Sequence, residues 1–192
     1  MTELVSERWV WDESTFVQAW ELGAFGERRV ELVEGEVWLV SIGDWHDEVT
    51  ANVTRALPNG GEWRVTQSSL PSAGSVPDPD VWVRRADARP VERVGSRLSR
   101  WVADDVVLVV EVSDATVGDD TTTKARVYGR ARFGCYWVVH RGGVEVFTEP
   151  HDLGYRVRRS FLAGDAVPVP YGASAKTLAV SELLAADEGA YE

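Results

Sequence analysis

The chain has 192 residues, 44% of them hydrophobic and 27% charged, with a formal net charge of −11. This fits one globular domain over residues 1–192 with a substantial core, and excludes a disordered or low-complexity chain. The acidic excess also weakens any nucleic-acid reading, because binders of phosphate backbones usually carry a basic footprint.

The arginines are nevertheless grouped: Arg84, Arg85, Arg89, Arg93, Arg97 and Arg100 crowd one segment, and smaller groups surround Arg130 and Arg158. Solvated surface is the simplest reading of each. Nine tryptophans without a repeat spacing are expected to pack the core and its edges. A lone Cys135 rules out an intrachain disulfide and fits a reducing compartment. No stretch approaches the ~18 apolar residues of a membrane span, and Met1-Thr2-Glu3 begins nothing like a secretion signal. A cytoplasmic protein is expected.

In chain order, Asp12 and the acidic turn after it open a helix running to about Leu22, which Gly23 ends. Residues 28–40 read as two short strands around the turn pair Glu34-Gly35, with Glu31 between the apolar Val30 and Leu32. Residues 44–57 look helical, because Val49, Val53 and Leu57 repeat every four residues. His46 falls in the first turn. Strands follow at 63–67 and 80–83, separated by a polar, Gly/Pro-rich connection. Residues 84–105 show little periodicity and are expected to make a surface excursion.

Val106 to Val110 is an unbroken apolar run and predicts a strand buried on both faces, with Glu111 near its carboxyl end. A helix is expected from Gly118 to about Phe133, stopped by Gly134, with Asp120, Lys124 and Tyr128 on one face. Strands at 135–140, 144–148 and 155–160 and a short final helix at 180–186 complete the reading. Strand–helix–strand in the middle with hairpins at either side implies an α/β fold with a mixed central sheet.

Four residues stand out: Glu31, Asp80, Glu111 and Lys124. Asp80 opens one strand and Glu111 ends another, so neighbouring strands would bring their carboxylates together at a sheet end, where α/β folds place their chemistry. Two carboxylates suit Mg²⁺, and the helix after Glu111 would carry the Lys124 ammonium over them. A cation and a lysine beside two acids form a hydrolytic arrangement. Simpler readings exist for each residue. Glu111 could pair structurally with Arg126 or Lys124, and Asp80 could serve a strand-end turn. Glu31 could bond the helix that holds His46 or lie near a metal. His46 reads as a helix-start or packing residue, Asp120 as satisfying the helix dipole or orienting the lysine, and Tyr128 as packing beneath it.

In order and spacing these motifs resemble the Uma-type restriction endonucleases of the PD-(D/E)XK nuclease superfamily. The matching stretches are Val30-Glu31-Leu32-Val33-Glu34-Gly35-Glu36, His46 at a helix start, Pro79-Asp80-Val81 and the Glu111 strand 108–116. Asp120, Lys124 and Tyr128 at four-residue steps and the strand 133–139 complete the pattern, which covers residues 12–186. Ser113 stands where the wider superfamily has its lysine, so Lys124 would be a migrated lysine. The resemblance implies a restriction-endonuclease-like sheet and Mg²⁺-dependent (or Mn²⁺-dependent) hydrolysis of DNA. Asp80, Glu111, the Val112 carbonyl and Glu31 would hold the metal, Lys124 would position or deprotonate the attacking water, and a homodimer is expected. The rival is a non-catalytic scaffold for nucleic acid or protein with a vestigial site.

Overall fold

The computed structural model describes residues 9–172 and 176–185. The first helix, α1 (Glu13–Glu21), is capped by Asp12, whose carboxylate accepts the Thr15 N–H at 2.8 Å. Strands β1 (Val30–Val33) and β2 (Glu36–Leu39) form an antiparallel hairpin. Its turn residues Glu34 and Gly35 both take positive φ, 48° and 85°, as a tight two-residue hairpin requires. In helix α2 (Asp44–Ala56) the four-residue apolar repeat buries Val49 and Val53.

Strands β3 (Trp63–Thr66) and β4 (Val81–Arg85) follow. The segment expected to be a surface excursion instead folds into a packed hairpin, β5 (Glu92–Val94) and β6 (Leu98–Arg100). It buries Val94 and Leu98 in a cluster with Phe16 and Val17 of α1. Each strand turns a single apolar side chain inward, too few to leave a period in the sequence.

The valine run is strand β7 (Val106–Ser113), and Val109 and Val110 are fully buried on opposite faces. Residues 117–130 are helical in three pieces: α3 (Val117–Asp119), a π-helical turn Asp120–Lys124, and α4 (Ala125–Arg130). This segment stops short of the expected Phe133. Arg132, at φ 66°, takes the left-handed conformation that Gly134 was expected to supply, and its N–H returns to the Gly129 carbonyl. Strands β8 (Cys135–His140), β9 (Gly143–His151) and β10 (Gly154–Phe161) come next. A small pair absent from the sequence reading, β11 (Ala166–Pro168) and β12 (Thr177–Ala179), precedes α5 (Val180–Leu183). The expected end of that last helix, Ala186, lies outside the described residues.

The central sheet has six strands in the order β10-β9-β8-β7-β4-β3. Only β7 and β8 run parallel, joined by the helical segment 117–130 as a crossover; every other neighbouring pair is antiparallel. Alternation along β7 sends Val110 and Val112 toward α2 and α5, and Val109 toward α4. The result is a mixed α/β sheet with helices on both faces. Trp82 and Trp137 are among its largest fully buried side chains. No helix among the described residues is long and apolar enough to cross a membrane.

Candidate active site

The register of the sheet brings the first two acids together. Val81 of β4 lies opposite Val110 of β7, so the residue before Val81 and the residue after Val110 are cross-strand neighbours: Asp80 and Glu111. Asp80 Oδ2 accepts the Val112 N–H at 2.7 Å, extending the ladder by one side-chain bond beyond the end of β4. Asp80 Oδ1 lies 2.9 Å from Nε2 of His46, delivered by the first turn of α2 from the other side of the sheet. Burial pulls the His46 pKa down, but Asp80, helped by Asp47, more than offsets it and the net shift is upward.

Lys124 reaches the same place from the helical crossover. Its Nζ donates to Glu111 Oε1 at 3.1 Å, lies 3.0 Å from Glu31 Oε1 and 3.6 Å from Asp120 Oδ1. The Tyr128 hydroxyl donates to the same Glu111 Oε1 at 2.6 Å. Asp120, Lys124 and Tyr128 all point inward and are buried, and the wide turn between the first two is of the π kind that recurs at functional sites. Glu31 arrives from the β1–β2 hairpin. Its Oε2 accepts the Asp78 N–H at 3.1 Å, which ties β1 to the segment leading into Asp80. Leu32 and Val76 make a backbone bridge beside it.

Electrostatics follow from burial. Glu31, Glu111 and Asp120 place three buried acidic groups around one ammonium, and Asp80 lies beside Glu111 in the same cavity. Burial pushes the Glu111 carboxyl well up; Lys124 opposes this, while Asp80, Asp120 and Glu31 add to it. For Lys124, burial pulls the ammonium down, but Glu111, Glu31 and Asp120 together outweigh it and the net direction is up. The lysine is therefore a firm cation, while burial and the neighbouring acids work against the charge on Glu111. Acids outnumber cations in the cluster.

The donors suit a divalent cation. Among the described residues no three His, Cys, Asp or Glu side chains form a ready-made ligand cage. Mg²⁺ does not need one, because it is usually held by one or two carboxylates, waters and substrate oxygens. Glu111 Oε2 makes no hydrogen bond among the described residues, and its carboxylate lines a cavity of about 310 Å³ together with Glu31, Asp80, Asp120 and Lys124.

All four residues singled out from the sequence thus line one cavity. Val112 lines it too, and gives its N–H to Asp80. Arg126 does not reach Glu111: it pairs with Glu34 at the tip of the hairpin, where Arg130 joins it at 2.9 Å. Tyr128 does more than pack, and His46 faces Asp80 rather than Glu31. Three contributors went unnoticed in the sequence. The Asp78 backbone holds Glu31, Thr116 donates to Asp120 Oδ2 at 2.7 Å, and Trp38 lines the cavity directly opposite Glu31 in the hairpin register. Strand alternation carries a signal for the last of these; the other two depend on loop conformation.

A family model, Uma2, described as "Putative restriction endonuclease", matches residues 15–181. Among solved structures, the chain is similar to one described as a "putative nuclease belonging to DUF820" from Anabaena variabilis, with a TM-score of 0.61 and 16% identity. The alignment covers 82% of this chain and 90% of that one, and at this identity it speaks for the fold. No curated protein matches the chain.

Proposed function

Since the chain belongs to the Uma2 restriction-endonuclease family, we propose that its acidic cavity hydrolyses DNA phosphodiester bonds with the help of Mg²⁺ or Mn²⁺. The observation that carries this reading is the Lys124 ammonium held between Glu31 and Glu111, with Asp80 the cross-strand neighbour of Glu111 in the same cavity. Asp80 and Glu111 would hold the cation, with Glu31 and the Val112 carbonyl near enough in the chain's layout to assist. A divalent cation in such a place makes water a better nucleophile and takes up charge on the phosphoryl oxygens.

The chain's own groups do the rest. Lys124 is held in its charged form by three acids, so it acts as a donor that orients water and phosphate oxygen rather than as a base. Glu31 holds that ammonium in place, anchored in turn by the Asp78 N–H. Tyr128, its phenol pushed well up by burial, remains a donor and fixes Glu111 Oε1, leaving Oε2 without a hydrogen bond among the described residues. His46 holds Asp80 Oδ1, while Asp80 Oδ2 accepts the Val112 N–H. The reading extends to a cytoplasmic enzyme in which residues 1–192 act as one domain and pair as a homodimer, which sedimentation at working concentration tests.

The decisive experiment incubates purified protein with plasmid DNA, RNA and a generic phosphodiester, with and without Mg²⁺ or Mn²⁺. Cleavage that needs metal and disappears in Lys124→Ala and Asp80→Ala supports the proposal. Cleavage untouched by either substitution points to a contaminant and removes it. A second reading, a nucleic-acid- or protein-binding scaffold with a vestigial site, draws on the net charge of −11 and the lack of a ready-made ligand cage among the described residues. Metal-dependent binding without cleavage would favour that one.

A further inference from the structure

Trp38 is out of place among the tryptophans. Trp11, Trp20, Trp45, Trp63, Trp82, Trp101 and Trp137 each belong to, or pack against, one of the three hydrophobic clusters. Trp38 belongs to none of them. Among the described residues it stacks on no other ring and carries no cation over its face. It is half-buried, and the hairpin pairs it directly with Glu31, so both side chains leave the same face toward Lys124. The hairpin's other face sends Val30, Leu32 and Val37 into the cluster around α1. An indole therefore lines the cavity that also holds the Glu31, Asp80, Glu111 and Asp120 carboxylates, and Leu39 and Ile42, 64% and 38% exposed, continue its apolar lip.

We propose that Trp38 is the stacking platform for a nucleobase flanking the scissile phosphate, and that the preferred substrate is therefore single-stranded DNA. The inference rests on the nuclease reading above and assigns its substrate form. The size of the cavity, the charge of the chain and the chemistry of base stacking support it. At about 310 Å³ the cavity is in the range of small-molecule sites, large enough for a nucleotide and far too small for a length of duplex. A chain of net charge −11 gains little from the counterion release that drives duplex binding, so its affinity has to come from local contacts. Base-on-aromatic stacking is such a contact, indifferent to sequence. In a duplex that face is already covered by the neighbouring bases and is freed only by unstacking.

The test compares wild type, Trp38→Ala and Trp38→Phe on a fluorescein-labelled single strand and on the blunt duplex of the same sequence. Binding is read by fluorescence anisotropy with Ca²⁺ replacing Mg²⁺, and cleavage is read separately with Mg²⁺. Wild type should favour the single strand, and Trp38→Ala should weaken its binding on the order of tenfold or more. Trp38→Phe should keep most of that affinity, which separates loss of an aromatic face from loss of fold. An abasic site beside the cleaved bond should weaken wild type and leave Trp38→Ala unaffected. Equal single-strand affinity for wild type and Trp38→Ala, or a wild-type preference for duplex, would overturn the stacking platform and leave the hydrolytic reading intact. Cleavage of nothing by wild type, with binding still lost in Trp38→Ala, would overturn the hydrolytic reading alone.

Discussion

Replacing Lys124 by methionine removes the cation and keeps a stem of similar length. Three acids then face each other across the space the ammonium filled, at sites the intact protein holds 3.0, 3.1 and 3.6 Å from Nζ. Removing one partner of a buried ion pair costs about 3–5 kcal/mol, because the remaining charge has no compensation. Protonation sets a ceiling on that cost, and this makes the loss depend on pH. The Glu111 carboxyl is already raised by burial, so the native state binds a proton that the unfolded chain releases above its ordinary value near 4.5. Its contribution to stability is present below that value and is lost as pH rises through the higher folded value. Without Lys124 the folded value climbs further. The variant should therefore lose about 3–5 kcal/mol at pH 8 and only about 1 kcal/mol near pH 5. Urea unfolding with EDTA present, followed by tryptophan fluorescence, measures both. Adding Glu111→Gln to the variant should recover about 1–3 kcal/mol through their coupling. A loss below about 0.5 kcal/mol, or one that ignores pH and Glu111, would refute a buried charge cluster.

Mg²⁺ or Mn²⁺ should raise the thermal midpoint of wild type and not of Asp80→Asn, while EDTA should reverse the shift; calorimetry measures it, and a shift that survives Asp80→Asn would argue for another site. Glu34→Gln should cost about 1 kcal/mol, since the carboxylate is partly exposed and held by Arg126 and Arg130. Arg126 holds the Glu34 carboxyl below its ordinary value, with burial opposing and Arg130 adding to the effect. That contribution is full above about pH 4.5 and fades as pH falls through the lower folded value, so wild type and variant should converge in acid denaturation. Gly129→Ala should destabilise by about 3 kcal/mol or more, because its Cβ would lie 2.1 Å from the Gly154 carbonyl oxygen, a backbone atom that cannot swing aside. Unfolding midpoints within a few tenths of wild type would show that α4 and β10 can separate freely.

The sequence exposes whatever rests on a strong local period. The valine run, the α2 repeat and the Glu34-Gly35 turn all read correctly because each encodes its own conformation. The pairing of Asp80 with Glu111 is also legible, since two strand-end acids at a sheet terminus have few other places to go. What stays hidden is set by partners distant in the chain. The β5–β6 hairpin is held by α1, and the helix end at Arg130 is set by a left-handed Arg132 where a stop signal would call for glycine. The role of Tyr128 looks like packing until its hydroxyl is seen against Glu111. The π turn has no sequence signal at all.

The contacts of Ser113 show how the helical segment that carries Lys124 is held to the sheet. A lysine at the Ser113 position would project from the strand that carries Glu111, on the same face and one step further on. Instead Ser113 Oγ sits 3.1 Å from Thr116 Oγ1, which donates to Asp120, which lies 3.6 Å from the ammonium. Ser113 thus anchors the helical segment that supplies Lys124. Rigidity has to come from elsewhere, because a helix can shift against a sheet more easily than a strand can slip its register. Glu34 answers that need: it joins the hairpin tip to Arg126 and Arg130 of α4, so the element carrying Glu31 and the element following Lys124 are tied together outside the cavity. The acids on the sheet are fixed by register, and the lysine is fixed by a clamp whose two ends are both exposed to solvent.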